Sequence, residues 1–341
     1  MLYGNAQIDG RGRPSEDRIC IKNLLEQCDL FAVFDGHSGS GVVRQTVDLL
    51  PKRIQAAMGG VIPPPEQLKS ILEKVFVEHD KELARTLAQL PSEREMDDKD
   101  SGSTATVAII TPTHIVIGYI GDSPCFLMNP TTTVATNLII HEMGKHEPTL
   151  AGETERIKAA GGTVELDEYG TPRVDGSLMV SRAFGDFTLK YKPLSNPPYD
   201  SDWAKMKVTA HPDVVVWERP EAGLLAIMSD GLVETNTNAL KPLPRVAADI
   251  YHALKKHSYD LPMTAEAVVA GHRRGSVGNS NQKYYGDDLS IVLIDVGKGR
   301  GISVGGGAPT VVVPKPLTRK VKVGRRNRTG KKNRLIKMFT C

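Results

Sequence analysis

The stretch FAVFDGHSG, Phe31–Gly39, decides how the rest of this chain is read. With Leu30 in front of it, it opens on a nearly continuous apolar run, Leu30–Phe34, of the kind a strand buried on both faces shows. The run stops at Asp35-Gly36, a pair common in turns. The period then changes: from Gly41 to Met58 the apolar residues Val42, Val43, Val47, Leu50 and Ile54 recur at helical spacing. A buried strand, an acidic turn and an amphipathic helix thus follow one another directly.

Working outward, Leu2–Ile8 and Arg18–Lys22 read as short β runs, and Leu68, Ile71, Leu72, Val75 and Phe76 predict a second helix after Pro65. The almost wholly charged SEREMDDKD before Ser101 reads as a solvated connection. Strands are then predicted at 104–110, 115–120 and 125–128, followed by a short helix over 153–160 that closes on Gly161-Gly162. Later strands are predicted at 214–218, 224–228 and 289–296, with helices over 244–257 and 264–274. Pro193–Asp202, rich in Pro, Asn, Ser, Tyr and Asp, reads as an irregular surface loop. Strands come in groups with helical pairs apart from them, which predicts an α+β fold with antiparallel sheets rather than a doubly wound one.

Four aspartates flank these apolar runs: Asp35, Asp122 and Asp230 follow one, and Asp287 precedes one. Each alone is explained by a turn. Four carboxylates aimed from strand ends into one cleft would repel one another unless cations neutralised them. Oxygen-only ligands suit Mg²⁺ or Mn²⁺ and disfavour zinc. Two such ions can flank a water, lower its pKa and offset the charge of a phosphoryl group.

Composition sets outer limits. The 341 residues are 40% hydrophobic and 24% charged, which excludes a largely disordered or collagen-like chain. Cys20, Cys28, Cys125 and Cys341 are scattered without a CxxC pair, so neither zinc nor a disulfide framework is expected. The start, MLYGNAQIDGRG, has no basic and apolar leader, and no run approaches the roughly 18 apolar residues of a membrane helix. A monomer in the cytoplasm, the nucleus or both is expected. The net charge of +3 hides an asymmetry: residues 298–341 hold 13 Lys and Arg and no acid, leaving 30 basic against 40 acidic residues before them.

The motifs resemble the PP2C (PPM) family of metal-dependent protein phosphatases over almost the whole chain up to Gly297. After FAVFDGHSG come SGSTATVAII from Ser101, IGYIGDS ending at Ser123, ERIKAAGGTV from Glu155 and LMVSRAFGD ending at Asp186. HPDVVVWE from His211, LAIMSDGLVE from Leu225 and GDDLSIVLI from Gly286 complete the series in family order. The resemblance implies a four-layer α-β-β-α sandwich over residues 1–297, a serine/threonine phosphatase activity on phosphoproteins, and two Mg²⁺ or Mn²⁺ ions with a weaker third. It implies that Asp35 bridges the two metals, that the Gly36 carbonyl and Glu16 bind one of them, and that Asp17 stands in that ion's hydration shell. Asp230 and Asp287 would hold the other, and Asp122 the third ion, shared with Asp230. His37 is implied as the general acid that protonates the departing serine or threonine oxygen.

Several positions depart from the family pattern. The phosphate-binding arginine expected four residues before Glu16 is Gly12, with Arg11 and Arg13 on either side; Arg13 is the favoured substitute. Pro124 replaces an arginine, Lys145-His146-Glu147-Pro148 replaces Asp-His-Lys-Pro after an added stretch, Asn137–Gly144, and Asp288 stands where Asn is frequent, adding negative charge. The loop Asp186–Ala210 corresponds to a variable flap, whose Tyr199, Asp200, Asp202 and Trp203 are candidates for substrate contact. The tail from 298 suits a nuclear import receptor, nucleic acid or the acidic body of the same chain. Two competing readings are a pseudophosphatase that binds phosphoproteins without turnover, and a nucleic-acid-binding protein acting through the tail.

Overall fold

A computed structural model describes residues 1–10, 14–89, 100–132, 138–191, 198, 201–233, 241–277 and 286–298. The chain opens with β1 (Tyr3–Ile8), β2 (Arg18–Leu25), β3 (Cys28–Phe34) and the two-residue β4 (Gly36–His37), then forms α1 (Gly41–Ala57) and α2 (Pro65–Ala88). A second run of strands follows: β5 (Gly102–Ser103), β6 (Ala105–Ile110), β7 (His114–Ile120), β8 (Cys125–Met128) and β9 (Ile139–Glu142). Next come α3 (Ala151–Ala159), the hairpin β10 (Val164–Leu166) and β11 (Pro172–Val174), β12 (Phe184–Gly185) and α4 (Phe187–Lys190). The last group is β13 (Asp213–Glu218), β14 (Leu224–Met228), α5 (Leu243–Lys256), α6 (Leu261–Val277) and β15 (Leu289–Asp295).

Two five-stranded antiparallel sheets carry the fold, in the orders β13-β7-β6-β3-β2 and β1-β15-β14-β8-β9. Their inner faces share one core, in which Ile19, Phe31, Ile115 and Ile117 of the first sheet meet Leu127, Leu225, Val292 and Ile294 of the second. On the outer face of the first sheet, Leu30, Phe34 and Val107 pack against Val43, Leu50 and Ile54 of α1 and Leu68, Leu72 and Phe76 of α2. On the outer face of the second, Phe126, Ala226 and Ile291 pack against Ile250 and Leu254 of α5 and Ala265 and Val269 of α6. Helices, sheet, sheet and helices therefore stack in four layers, as the α+β expectation requires. Strands covered on both faces lose polar alternation, and every residue of β6, β14 and β15 is buried.

The helices form where periodicity places them. α2 starts with Pro65 at its first turn, where a missing N–H costs nothing, and carries Glu66 in its first turn and Arg85 in its last, complementing the helix dipole. Several features differ from the sequence reading, among them the two-residue strands β4, β5 and β12 and the short α4. β9 lies within the added stretch Asn137–Gly144 as a mostly exposed edge strand paired with β8. The hairpin β10–β11 forms with only three residues a side. Trp203 is 3% exposed and packs on Phe187 and Tyr191, so this member of the flap is core rather than substrate contact. Asp202 caps the short helical turn 203–205. Tyr199 and Asp200, the charged connection 91–99 and the tail from 299 lie outside the described residues. Cys20, Cys28 and Cys125 are buried and form no disulfide. Among the described residues no helix is long and apolar enough to cross a membrane.

Candidate active site

The acidic residues are delivered by strand ends at one edge of both sheets. β2 begins where β3 ends, with Arg18 opposite Phe34, which sets Glu16 and Asp17 beside Asp35. The Asp35 N–H donates to Thr104 Oγ1 at 3.2 Å and its carbonyl accepts from the Thr104 N–H at 2.9 Å. Thr104 Oγ1 in turn lies 2.7 Å from Ser123 Oγ, which fastens the turn carrying Asp122 to the same edge. In the other sheet, Ser229 N–H donates to the Ser290 carbonyl and Ser290 N–H to Ser229 Oγ, each at 3.0 Å. That pair ties the end of β14 to the start of β15 and so brings Asp230 next to Asp287.

The charges of these groups bear on one another. The Asp35 carboxyl is pushed well above the ordinary carboxylate range by burial, then by the charges of Asp17 and Asp230, a hydrogen bond with Asp230, and the charge of Asp287. Asp17 is raised to about 7 by burial, with Asp288 and Asp287 adding to the rise. Both its carboxylate oxygens are buried without a well-formed hydrogen bond, although the Ser290 and Ser229 hydroxyls lie near enough to temper the shift. Asp122 is raised to about 6 by burial, and its charged neighbours are His37, Lys145 and Glu147. Asp122 and Glu16 thus stand on the His37 side of the cleft, and Asp17, Asp230 and Asp287 gather around Asp35.

Two residues have partners that the sequence does not announce. Asp288 accepts the Gly10 N–H on Oδ1 at 2.6 Å and the Glu16 N–H on Oδ2 at 2.8 Å, so its carboxylate closes the segment between them. Gly10 fits because a Cβ there would stand 2.5 Å from the Asp287 carbonyl carbon. His37 Nε2 lies 2.9 and 3.0 Å from the two carboxylate oxygens of Asp186, 149 residues later in the chain. Burial disfavours the His37 cation, but Asp186, with Asp122 and Glu16, outweighs it and raises the imidazole's pKa. Gly102 lies against this pair; a Cβ there would be 2.2 Å from both His37 Nε2 and Asp186 Oδ2. The Glu16 carboxylate accepts the Gly39 N–H at 3.0 Å, joining the acidic pair to the His37 turn. Arg11 and Arg13 lie outside the described residues. Arg18, the next guanidinium, has its Nη1 engaged by the Ser15 and Asp17 carbonyls at 2.7 Å each.

With this geometry in hand, comparison with known proteins is decisive. The family model for protein phosphatase 2C matches residues 2–240. The chain belongs to the protein phosphatase 2C family. It is 31% identical over 249 residues to a probable protein phosphatase 2C 24 of Arabidopsis thaliana, covering 69% of this chain and 62% of that protein. It is 30% identical over 260 residues to protein phosphatase ppm-1.A of Caenorhabditis elegans, covering 70% of this chain and 50% of that one. The chain therefore spans about half to three fifths of the length of these curated relatives. A crystal structure of a phosphatase from Toxoplasma gondii superposes with a TM-score of 0.67 at 20% identity, covering 88% of this chain and 94% of that one, which shows a shared fold.

Protein phosphatase 2C proteins use divalent metals. Among the described residues no three His, Cys, Asp or Glu side chains gather tightly enough to hold a metal by themselves. The donor set nonetheless fits hydrated hard cations. It is all oxygen, it contains the buried Asp17 carboxylate with no well-formed hydrogen bond, and the charges of its neighbours raise the pKa of Asp17 and of Asp35, where a positive charge would lower both.

Proposed function

We propose that this chain is a protein serine/threonine phosphatase that hydrolyses phosphomonoesters at a binuclear Mg²⁺ or Mn²⁺ centre. The observation that carries the reading is that Asp35, Asp230 and Asp287, all half-buried, are drawn from two sheets to one cleft beside the buried Asp17, with Asp35 in hydrogen-bond reach of Asp230. In this account Asp35 would be shared by two ions, Glu16 and the Gly36 carbonyl would hold one, Asp230 and Asp287 would hold the other, and Asp122 would serve a weaker third ion with Asp230. Such ions would lower the pKa of a water and offset charge on the phosphoryl group. Asp17 would hold waters of the hydration shell that a small hard cation keeps. Arg13 or Arg11 supplies a bidentate donor for the phosphate.

His37 acts as general acid. With Nε2 committed to Asp186, the proton it delivers to the serine or threonine oxygen resides on Nδ1, and the product alcohol leaves neutral. The test is phosphate release from phosphoseryl and phosphothreonyl peptides by the purified protein. Turnover is expected with Mn²⁺ or Mg²⁺, with a loss of about 10²–10³-fold or more in Asp35→Asn, the scale set by removing one group that stabilises transition-state charge. Phosphopeptide binding by metal-replete protein without turnover would overturn the reading in favour of a pseudophosphatase.

A further inference from the structure

The described residues hold one ion pair sealed from solvent on both sides. Lys190 Nζ lies 2.6 Å from Asp80 Oδ2, with the side chains 0% and 1% exposed. Asp80 belongs to α2, in the outer helical layer, and Lys190 ends α4, directly after the turn that carries Asp186. Both charges also grip the backbone of that turn: Asp80 Oδ1 accepts the Gly185 N–H at 2.9 Å, and Lys190 Nζ donates to the Ala183 carbonyl at 2.8 Å.

The gripped backbone has little freedom to choose another path. Gly185 and Asp186 are consecutive left-handed residues, with φ of 76° and 50°. A Cβ on Gly185 would stand 2.2 Å from the Ser101 carbonyl oxygen, and the Asp186 N–H donates to that same oxygen at 3.1 Å. Asp100 holds the far side, accepting the Thr188 N–H at 3.1 Å and its hydroxyl at 2.8 Å. The strained residue in the middle, Asp186, is the one whose carboxylate meets His37 Nε2. A buried ion pair is seldom kept for stability, since apolar replacements of similar volume often serve equally well. One that fixes two backbone groups on either side of a strained turn sets geometry instead.

We propose that Asp80, Lys190 and Asp186 are positioning residues for His37: the buried pair fixes the left-handed turn, and the turn aims the Asp186 carboxylate that holds the imidazole for proton delivery. The inference rests on the general-acid role proposed above. It assigns to α2, which contributes nothing else to the site, a direct mechanical hold on the proton donor.

The test exploits the leaving group. A serine alkoxide needs the proton and a nitrophenolate does not, so a misplaced general acid slows the first far more than the second. Wild type, His37→Gln, Lys190→Met, Asp186→Asn and the double variant Lys190→Met/His37→Gln are compared by kcat and KM on a phosphoseryl peptide and on p-nitrophenyl phosphate, with saturating Mn²⁺. Lys190→Met is expected to lower kcat on the peptide by about 10- to 100-fold with little change in KM, and on p-nitrophenyl phosphate by less than about 3-fold. The double variant is expected to match His37→Gln alone, because both changes disable one unit. Equal losses on the two substrates, or losses that multiply in the double variant, would overturn the proposal. If Lys190→Met does not fold, Asp186→Asn, which leaves the ion pair intact, carries the same test with the same criteria. An inactive wild type refutes the phosphatase reading, and this one with it. A leaving-group split in His37→Gln that is missing from both Lys190→Met and Asp186→Asn refutes this inference alone.

Discussion

Asp288 illustrates how much one side chain can do beside the proposed two-ion site through backbone hydrogen bonds alone. Its charge was expected to act on the cleft, yet both oxygens are taken by the N–H groups of Gly10 and Glu16. Asparagine offers one acceptor in place of two, so Asp288→Asn releases one end of that segment. The expected outcome is a Mn²⁺ requirement raised by about 10-fold or more in phosphate-release assays, the scale for groups that orient metal ligands. An unchanged requirement would refute the role. The placement of Asp35, Asp122, Asp230 and Asp287 beside strand ends was legible in the sequence, because apolar runs mark buried strands. Asp186 was not, since its value comes from a left-handed turn and a partner 149 residues away. No local pattern records either.

Between elements, buried polar groups set the pH response. His79 lies between α1 and α2, with its Nε2 3.2 Å from Thr46 Oγ1 and its ring edge-on to Phe184. Burial, then the charge of Arg53, lowers its pKa to about 3. The unfolded chain therefore takes up this proton first as pH falls, so the stabilisation is whole above pH 6.5 and is lost progressively toward pH 3. Between pH 7 and pH 5 the loss from this group is about 2 kcal/mol, and His79→Gln should flatten the difference in urea unfolding by that amount. Glu153 of α3 joins Arg156 and Arg182, each at 2.7 Å, and those arginines reach the carbonyls of Ser181, Met206 and His211. Glu153→Ala removes the buried carboxylate that both half-buried guanidinium groups share, while Arg182 keeps Asp213 and both keep their carbonyl acceptors, so the expected cost is about 1–3 kcal/mol by urea unfolding, whereas an exposed pair would cost under 1. The long helices and central strands were readable because burial imposes a period on them. β9 and the β10–β11 hairpin were not, being short and mostly solvent-facing, where packing leaves no pattern. Trp203 was misread because the Pro- and Asn-rich residues before it obscure the aromatic cluster it joins.

Over the whole molecule, an acidic body precedes a basic stretch, and we propose that residues 1–297 form the phosphatase unit with the tail as a separate electrostatic element. The full chain should bind nucleic acid with an affinity that falls steeply with salt, and residues 1–297 should not; equal binding by both would dispose of the tail's part. The α+β class with antiparallel sheets was legible because strands come in groups apart from helical pairs, whereas the four-layer stacking was implied by the family resemblance. The central claim is that strand ends of both sheets assemble a two-ion site for phosphomonoester hydrolysis. It is tested most directly by counting Mn²⁺ bound to chelator-stripped protein while following phosphate release from a phosphoseryl peptide. The account predicts release that is restored as a second ion binds, and that stays lost in Asp35→Asn. Full release from the stripped protein, or from Asp35→Asn, would contradict it.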